Sequence, residues 1–114
     1  MMTGKTIDLY GIPTCDACKK AIRALEAAGH AVAFRDIRAT PLSESELAEM
    51  VAEFGDALVN RKSTTWRGLS DYLRLSEPET QIAAQPTLMK RPVIRHEGRW
   101  YLGWNERVQA ALLD

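Results

Sequence analysis

The sequence has few of the residues from which disulfide scaffolds and nucleic-acid sites are built. Among 114 residues there are two cysteines and two histidines, and equal numbers of acidic and basic side chains leave no net charge. Two cysteines are too few for a disulfide-rich secreted scaffold. A chain without net charge is also a poor candidate for nonspecific binding to a phosphate backbone. We therefore expect no direct binding to nucleic acid.

Long apolar runs are also lacking. The first apolar stretch, residues 7–12, includes Asp8 and has no cleavage site of small residues after it. No segment reaches the roughly 18 apolar residues that a membrane span requires. The sequence therefore predicts a cytoplasmic protein that does not contact a membrane. Its length is typical of a single domain that needs neither metal nor disulfide to fold.

Apolar periodicity predicts a strand–helix–strand unit at the start of the chain. Residues 6–10 alternate between apolar and polar side chains as a strand does, and Gly11 and Pro13 mark its end. A helix is predicted over 16–28 and a second strand over 32–37. Such a unit implies two parallel strands joined by a crossover helix.

The rest of the chain predicts a helical block and then a hairpin with a final helix. Ser43 begins the block, and Glu46 completes a capping box three residues later. Asn105 is positioned to cap the last helix. Short helical pieces are predicted at 56–59, 69–75 and 78–85, and hairpin strands at 93–96 and 99–103. This order indicates an α/β fold with a small mixed sheet and helices on its faces.

One motif carries recognisable chemistry, Cys15-Asp16-Ala17-Cys18, and it lies directly between the first predicted strand and helix. Thioredoxin-like redox sites have this context. Amides and the positive dipole end at a helix N-terminus stabilise a thiolate, and such sites lower a cysteine pKa to about 3.5–7.5. Cys18 lies one turn further along and begins the apolar stripe. We predict that Cys15 is the exposed attacking thiolate and Cys18 the buried resolving thiol.

Two other interpretations of the motif stay open, a structural cysteine pair and half of a zinc site. Zinc takes four ligands, and the remaining candidates, His30 and His96, stand alone without a second CxxC or an HxxxH pattern. We therefore predict no metal. His30 is interpreted as a solvated residue at a helix end, and His96 as a surface residue of a hairpin strand.

Four segments in order resemble the arsenate reductase-like family, which includes ArsC enzymes, Spx regulators and YffB proteins. The segments are YGIPTCDACKK, LVNRKSTTWR, KRPVI and LGWNE, at residues 10–20, 58–67, 90–94 and 102–106. The second is most similar to the YffB branch, and together they span nearly the whole chain. The resemblance implies a thioredoxin/glutaredoxin-like fold with a four-stranded mixed sheet. Its core would comprise residues 5–42 and 90–114, with a helical insertion at 43–89.

The resemblance also implies roles for individual residues. Cys15 matches the nucleophile of the family, and Cys18 or glutathione would resolve its adduct. Pro92 matches a proline whose peptide bond is cis in this fold. Guanidinium forks bind anions through paired hydrogen bonds, and their charge stabilises a nearby thiolate. An oxyanion or glutathione site is thus implied at Thr14, Arg61, Arg91 and Pro92.

Two positions depart from the arsenate reductase pattern. Gly103 stands where those enzymes carry a third arginine, which removes one anion contact. Cys18 completes the CxxC motif of Spx regulators, in which the pair is a redox switch that controls binding to RNA polymerase.

We therefore expect a cytosolic, monomeric, thiol-dependent oxidoreductase that acts on a disulfide or an oxyanion. It would bind no resident cofactor and would use glutathione as co-substrate. One alternative is an Spx-like regulator that binds the C-terminal domain of the RNA polymerase α subunit. A redox-inert relative is a further possibility.

Overall fold

The computed structural model describes residues 6–113, which divide into two compact units. The first unit takes the chain up to Ile37 and resumes at Arg91, and the second unit is Arg38–Lys90. The limits expected from the sequence, 5–42 with 90–114 for the core and 43–89 for the insertion, differ from these by a few residues. Residues 1–5 and 114 lie outside the described part of the chain.

The first unit contains a four-stranded sheet in the order β2-β1-β3-β4. β1 (Thr6–Gly11) runs parallel to β2 (Ala31–Asp36), and α1 (Asp16–Ala27) connects them as the predicted crossover. β1 is antiparallel to β3 (Val93–His96), which pairs in turn with β4 (Arg99–Leu102) in the predicted hairpin. The mixed sheet confirms the α/β fold class that the sequence predicts.

The core of the first unit forms between this sheet and two helices, α1 and α6 (Glu106–Leu113). Ile7 and Leu9 of β1 both face it, because alternate side chains of a strand point to the same side. Ile94 of β3 joins them, and all three are fully buried. The helices contribute Cys18, Ala21, Leu25, Val108 and Leu112. The CxxC motif is therefore anchored in the core through its second cysteine.

Polar side chains cap the helices where the sequence predicts. The hydroxyl of Ser43 accepts a hydrogen bond from the Glu46 amide at 3.1 Å, and the Glu46 carboxylate accepts one from the Ser43 amide at 2.8 Å. This capping box begins α2 (Glu44–Phe54). At the start of α6, Asn105 Oδ1 accepts from the Val108 amide at 3.0 Å. Each cap satisfies backbone donors that a helix cannot pair internally.

The second unit consists of α2 and several shorter helices. Ser63 begins a helix absent from the sequence-based prediction, its hydroxyl accepting from the Trp66 amide at 3.1 Å. That helix is too short to show an apolar period. The helices after α2 are α3 (Thr64–Arg67), α4 (Asp71–Arg74) and α5 (Pro78–Ala84), with 3₁₀ turns at Gly55–Leu58 and Pro86–Leu88. None of the helices within residues 6–113 is long and apolar enough to cross a membrane.

Candidate active site

Cys15 lies where the loop after β1 enters α1. Its backbone is extended, with φ −82° and ψ 121°, as is usual for the residue that precedes a helix. Its carbonyl accepts from the Lys19 amide at 3.0 Å, which is the first hydrogen bond of α1, and its own amide donates to the Ile12 carbonyl at 3.2 Å. The residue is half-buried, and so less exposed than the sequence predicts. The structure thus places Cys15 beside the unpaired amides of the first helical turn.

Cys18 lies one turn further along α1 and is only 1% exposed. Both cysteines are free thiols. Burial is the main cause that raises the pKa of Cys18 to about 12; the neighbouring Cys15 sulfur adds to the increase, while a hydrogen bond with the Ile12 backbone opposes it. Cys18 is therefore a protonated thiol at neutral pH, as expected for a resolving cysteine.

The pKa of Cys15 is lowered from its ordinary value. Burial by itself raises this pKa, but the Cys18 amide, the Cys18 thiol and the Arg91 guanidinium together outweigh it, Arg91 through both a hydrogen bond and its charge. The Cys15 side chain does not make the standard capping hydrogen bond to the first turn. The Cys18 amide nevertheless makes the largest lowering contribution, and it belongs to the positive end of the helix dipole. The net result is a thiol with a lowered pKa at Cys15 next to one with a raised pKa at Cys18.

Arg91 and Pro92 form the approach to β3. The peptide bond between them is cis, the geometry that the resemblance implies. Pro92 is fully buried, whereas Thr14 is exposed in the loop just before Cys15. Of the residues predicted from the sequence, the first unit brings together Cys15, Cys18 and Arg91, with Thr14 and Pro92 adjacent to them in the chain.

Gly103 is the position at which the resemblance implies a third arginine in arsenate reductases. Its φ of +83° lies in the left-handed region that favours glycine, and its amide donates to the Pro92 carbonyl at 2.8 Å. The backbone at this position thus fastens the end of the hairpin to the proline and contributes no guanidinium to an anion site.

Arg61 lies in the second unit, where two neighbours hold its guanidinium. The guanidinium carbon is 5.5 Å from the centre of the Trp66 ring, and a terminal nitrogen is 3.5 Å from the Asp56 carboxylate. The Arg61 side chain is 52% exposed, and exposed ion pairs are typically worth at most about 1 kcal/mol. The role of Arg61 at the site of Cys15 stays a prediction from the resemblance.

His30 lies just after α1 and His96 in β3, as predicted, but both are half-buried and not the solvated and surface residues that the sequence predicts. Their rings meet edge to face with centroids 5.5 Å apart, and His30 Nε2 lies 3.1 Å from the Leu112 carbonyl oxygen. The two residues are far apart in the chain, and the pairing of the strands brings them together. Across residues 6–113, no three side chains of histidine, cysteine, aspartate or glutamate are grouped so as to hold a metal ion.

Helix α1 begins next to a cysteine and joins two parallel strands, and the hairpin further along the chain is entered through a cis-proline. This is the arrangement of thioredoxin-like proteins. The family model described as ArsC matches residues 10–112 of this sequence. The chain therefore belongs to the ArsC family, as the four motifs indicate.

Relatives and solved structures extend over several branches of the family. An uncharacterised protein of Haemophilus influenzae is 39% identical over 108 residues, which cover 89% of this chain and 93% of that protein. The global transcriptional regulator Spx of Listeria innocua is 33% identical over 106 residues, covering 88% of this chain and 81% of the regulator.

Among solved structures, one described as YFFB (PA3664) protein has a TM-score of 0.85 and 34% identity over 95% of this chain and 99% of its own. An arsenate reductase (ArsC) related protein from Brucella melitensis has a TM-score of 0.75 and 28% identity, covering 96% of this chain and 97% of its own. These similarities confirm the predicted family and the thioredoxin-like fold.

Replacing Arg91 should raise the pKa of Cys15. Arg91→Met removes a hydrogen bond and a positive charge from the thiolate, so the pH midpoint of Cys15 alkylation by iodoacetamide should move upward. Arg91→Lys should restore part of the shift, because it keeps the charge. Arg23→Met, which removes an exposed charge two turns further along α1, is the control and should leave the midpoint unchanged. Equal midpoints for Arg91→Met and Arg23→Met would contradict this role of Arg91.

The raised pKa of Cys18 predicts a loss of stability in alkaline solution. Its folded-state pKa of about 12 lies above its ordinary value of 9.0, so as pH rises the unfolded chain releases this proton first. The contribution of Cys18 to stability is complete below about pH 9 and is lost as pH rises towards 12. In urea unfolding of the reduced protein, wild type should lose stability over this interval more steeply than Cys18→Ala. Parallel profiles would contradict the prediction.

Proposed function

We propose that the protein is a thiol-dependent oxidoreductase in which Cys15 attacks a disulfide substrate. The observation that carries the proposal is the unequal pair of thiols at the start of α1, with a lowered pKa at Cys15 and a raised pKa at Cys18. Only a thiolate attacks a disulfide, and the rate depends on the fraction of thiolate present. The ArsC family membership supports the same chemistry.

The reaction takes place in two exchanges. First, the Cys15 sulfur attacks one sulfur of a substrate disulfide; a mixed disulfide forms, and the other substrate sulfur leaves with the electron pair and takes up a proton from water. Then Cys18 gives up its proton to the departing substrate sulfur, and its own sulfur attacks Cys15. This step forms the Cys15–Cys18 disulfide and releases the second substrate thiol. The substrate gains two electrons and the protein thiols lose two.

Glutathione is the thiol that we propose restores the reduced protein. Two molecules would reduce the Cys15–Cys18 disulfide and leave as glutathione disulfide, so no bound cofactor is required. The guanidinium of Arg91 beside Cys15 suits a carboxylate of glutathione, because arginine forms paired charge-assisted hydrogen bonds with carboxylates. An oxyanion such as arsenate is a second possible substrate. The missing guanidinium at Gly103 favours the disulfide.

Replacing each cysteine should separate the two exchanges. Reduction of a small disulfide by glutathione is followed through NADPH consumption by glutathione reductase. Cys15→Ser should lower the rate to that measured without the protein, because no thiolate remains to attack. With glutathione disulfide as the substrate and no reduced glutathione present, Cys18→Ser should leave Cys15 able to form a mixed disulfide that persists, visible by mass spectrometry as one added glutathione. Full activity of Cys15→Ser would overturn the proposal.

A redox-sensing regulator is the second candidate function. The CxxC motif and the 33% identity to the regulator Spx of Listeria innocua favour it. In this case the Cys15–Cys18 disulfide would be a persistent signal that controls binding to the C-terminal domain of the RNA polymerase α subunit.

Binding to that domain distinguishes the two functions. Isothermal calorimetry with the purified α-subunit domain compares reduced protein, oxidised protein and Cys18→Ala, which cannot form the internal disulfide. The oxidoreductase proposal predicts no binding in any of the three. Binding that changes on oxidation of wild type, and not in Cys18→Ala, would favour the regulator.

A further inference from the structure

Gly11, the last residue of β1, lies directly against the thiol of Cys18. A Cβ atom added to Gly11 would be 2.3 Å from Cys18 Sγ, far inside van der Waals contact. Ile7 and Leu9 precede it on the same face of β1 and carry full side chains into the core. Position 11 differs from them because the sulfur of Cys18 fills the space that its side chain would take.

The requirement for glycine at position 11 is steric and not conformational. Gly11 is absent from the residues of 6–113 that have a positive φ, so the backbone can accept alanine. The strand is also fixed in place, since Gly11 pairs with Asp36 in the parallel ladder and its carbonyl accepts from the Ile37 amide at 3.0 Å. A side chain at this position would therefore displace the sulfur of Cys18 more easily than it would displace β1.

The thiol of Cys18 has few alternative positions. The residue is 1% exposed, within the core of the first unit, and a helical residue rarely adopts χ1 near +60°, which leaves two rotamers. In its present position the Cys18 thiol acts as a donor towards the Cys15 sulfur and lowers the pKa of Cys15. Rotation of the thiol away from its present position would weaken that interaction.

We infer that Gly11 is a positioning residue for the thiol pair, because the space it leaves empty holds the Cys18 thiol against the Cys15 sulfur. In this role Gly11 acts through Cys18 and is not itself a reacting group. The inference rests on the proposed function, in which the two thiols react as a pair, and it adds a residue outside the CxxC motif to the site.

A cycle of variants tests this inference. Gly11→Ala, Cys18→Ala and the double variant are compared by the alkylation of Cys15 in the reduced protein, located by mass spectrometry. Gly68→Ala is the matched control, because Gly68 has φ −84° and an added Cβ there would meet nothing closer than 3.7 Å. Gly11→Ala should slow alkylation at neutral pH by roughly fivefold, the effect of losing one hydrogen bond. Gly68→Ala should leave the rate unchanged.

The Cys18→Ala background shows whether Gly11 acts through the sulfur. There Gly11→Ala should change nothing further, since the nearest remaining atom of residue 18 is its Cβ at 3.5 Å, an ordinary contact. Urea unfolding provides a second measurement: any stability lost in Gly11→Ala should be recovered in the double variant. A further decrease in alkylation rate, or unrecovered stability, would show that Gly11 acts through the backbone and would overturn the inference.

The same cycle separates this inference from the proposed function. If Cys18→Ala slows alkylation of Cys15 and Gly11→Ala does not, the inference about Gly11 is wrong and the coupling of the thiols stands. If neither variant changes the rate, the thiols are uncoupled, and the proposed function loses its supporting observation together with the inference.

Discussion

The site depends on the groups that stabilise a thiolate at Cys15, which are first the Cys18 amide and then the Cys18 thiol and Arg91. Burial disfavours the charged form of a thiol, so a half-buried Cys15 on its own would hold its proton more tightly than in water. The Cys18 thiol, the first turn of α1 and Arg91 replace the lost hydration with fixed donors. Because burial keeps Cys18 protonated, the negative charge stays on the Cys15 sulfur. Under the proposed function, Cys15 is therefore the sulfur that attacks first.

The register of the strands places Arg91 near the first turn of α1, which carries Cys15 and Cys18. Tyr10, next to the end of β1, pairs with Val93 at the start of β3. The loop that leads to Cys15 therefore begins beside the segment that carries Arg91 and Pro92. Because β1 pairs with β2 on one side and with β3 on the other, the start of α1 and the entry to β3 lie at the same end of the sheet. The thioredoxin-like topology thus assembles a nucleophile and its guanidinium from opposite ends of the chain.

The parts of the molecule that the sequence predicts are those set by residues close together in the chain. The capping box of Ser43 and the strand–helix position of Cys15 are of this kind, and the structure contains both. The contact of His30 with His96 depends on which strands pair, which no local pattern records. In the sequence, Gly11 resembles a turn signal. Its inferred role in positioning the Cys18 thiol follows only from the structure, in which it shares a strand face with Leu9 and lies against the buried Cys18.

The electrostatics of the pair also bear on the choice between an enzyme and a switch. Interactions that stabilise the reduced form of a dithiol make its disulfide easier to reduce. The donors around Cys15 stabilise a thiolate that exists only in the reduced form and is lost when the disulfide closes. If the proposed function is right, a disulfide formed here would be reduced by small thiols more easily than one without these donors, which would help an enzyme that must regenerate its dithiol in every cycle. A regulator whose disulfide must outlast the oxidant requires a disulfide that resists reduction. The surroundings of Cys15 therefore favour the proposed oxidoreductase over the regulator.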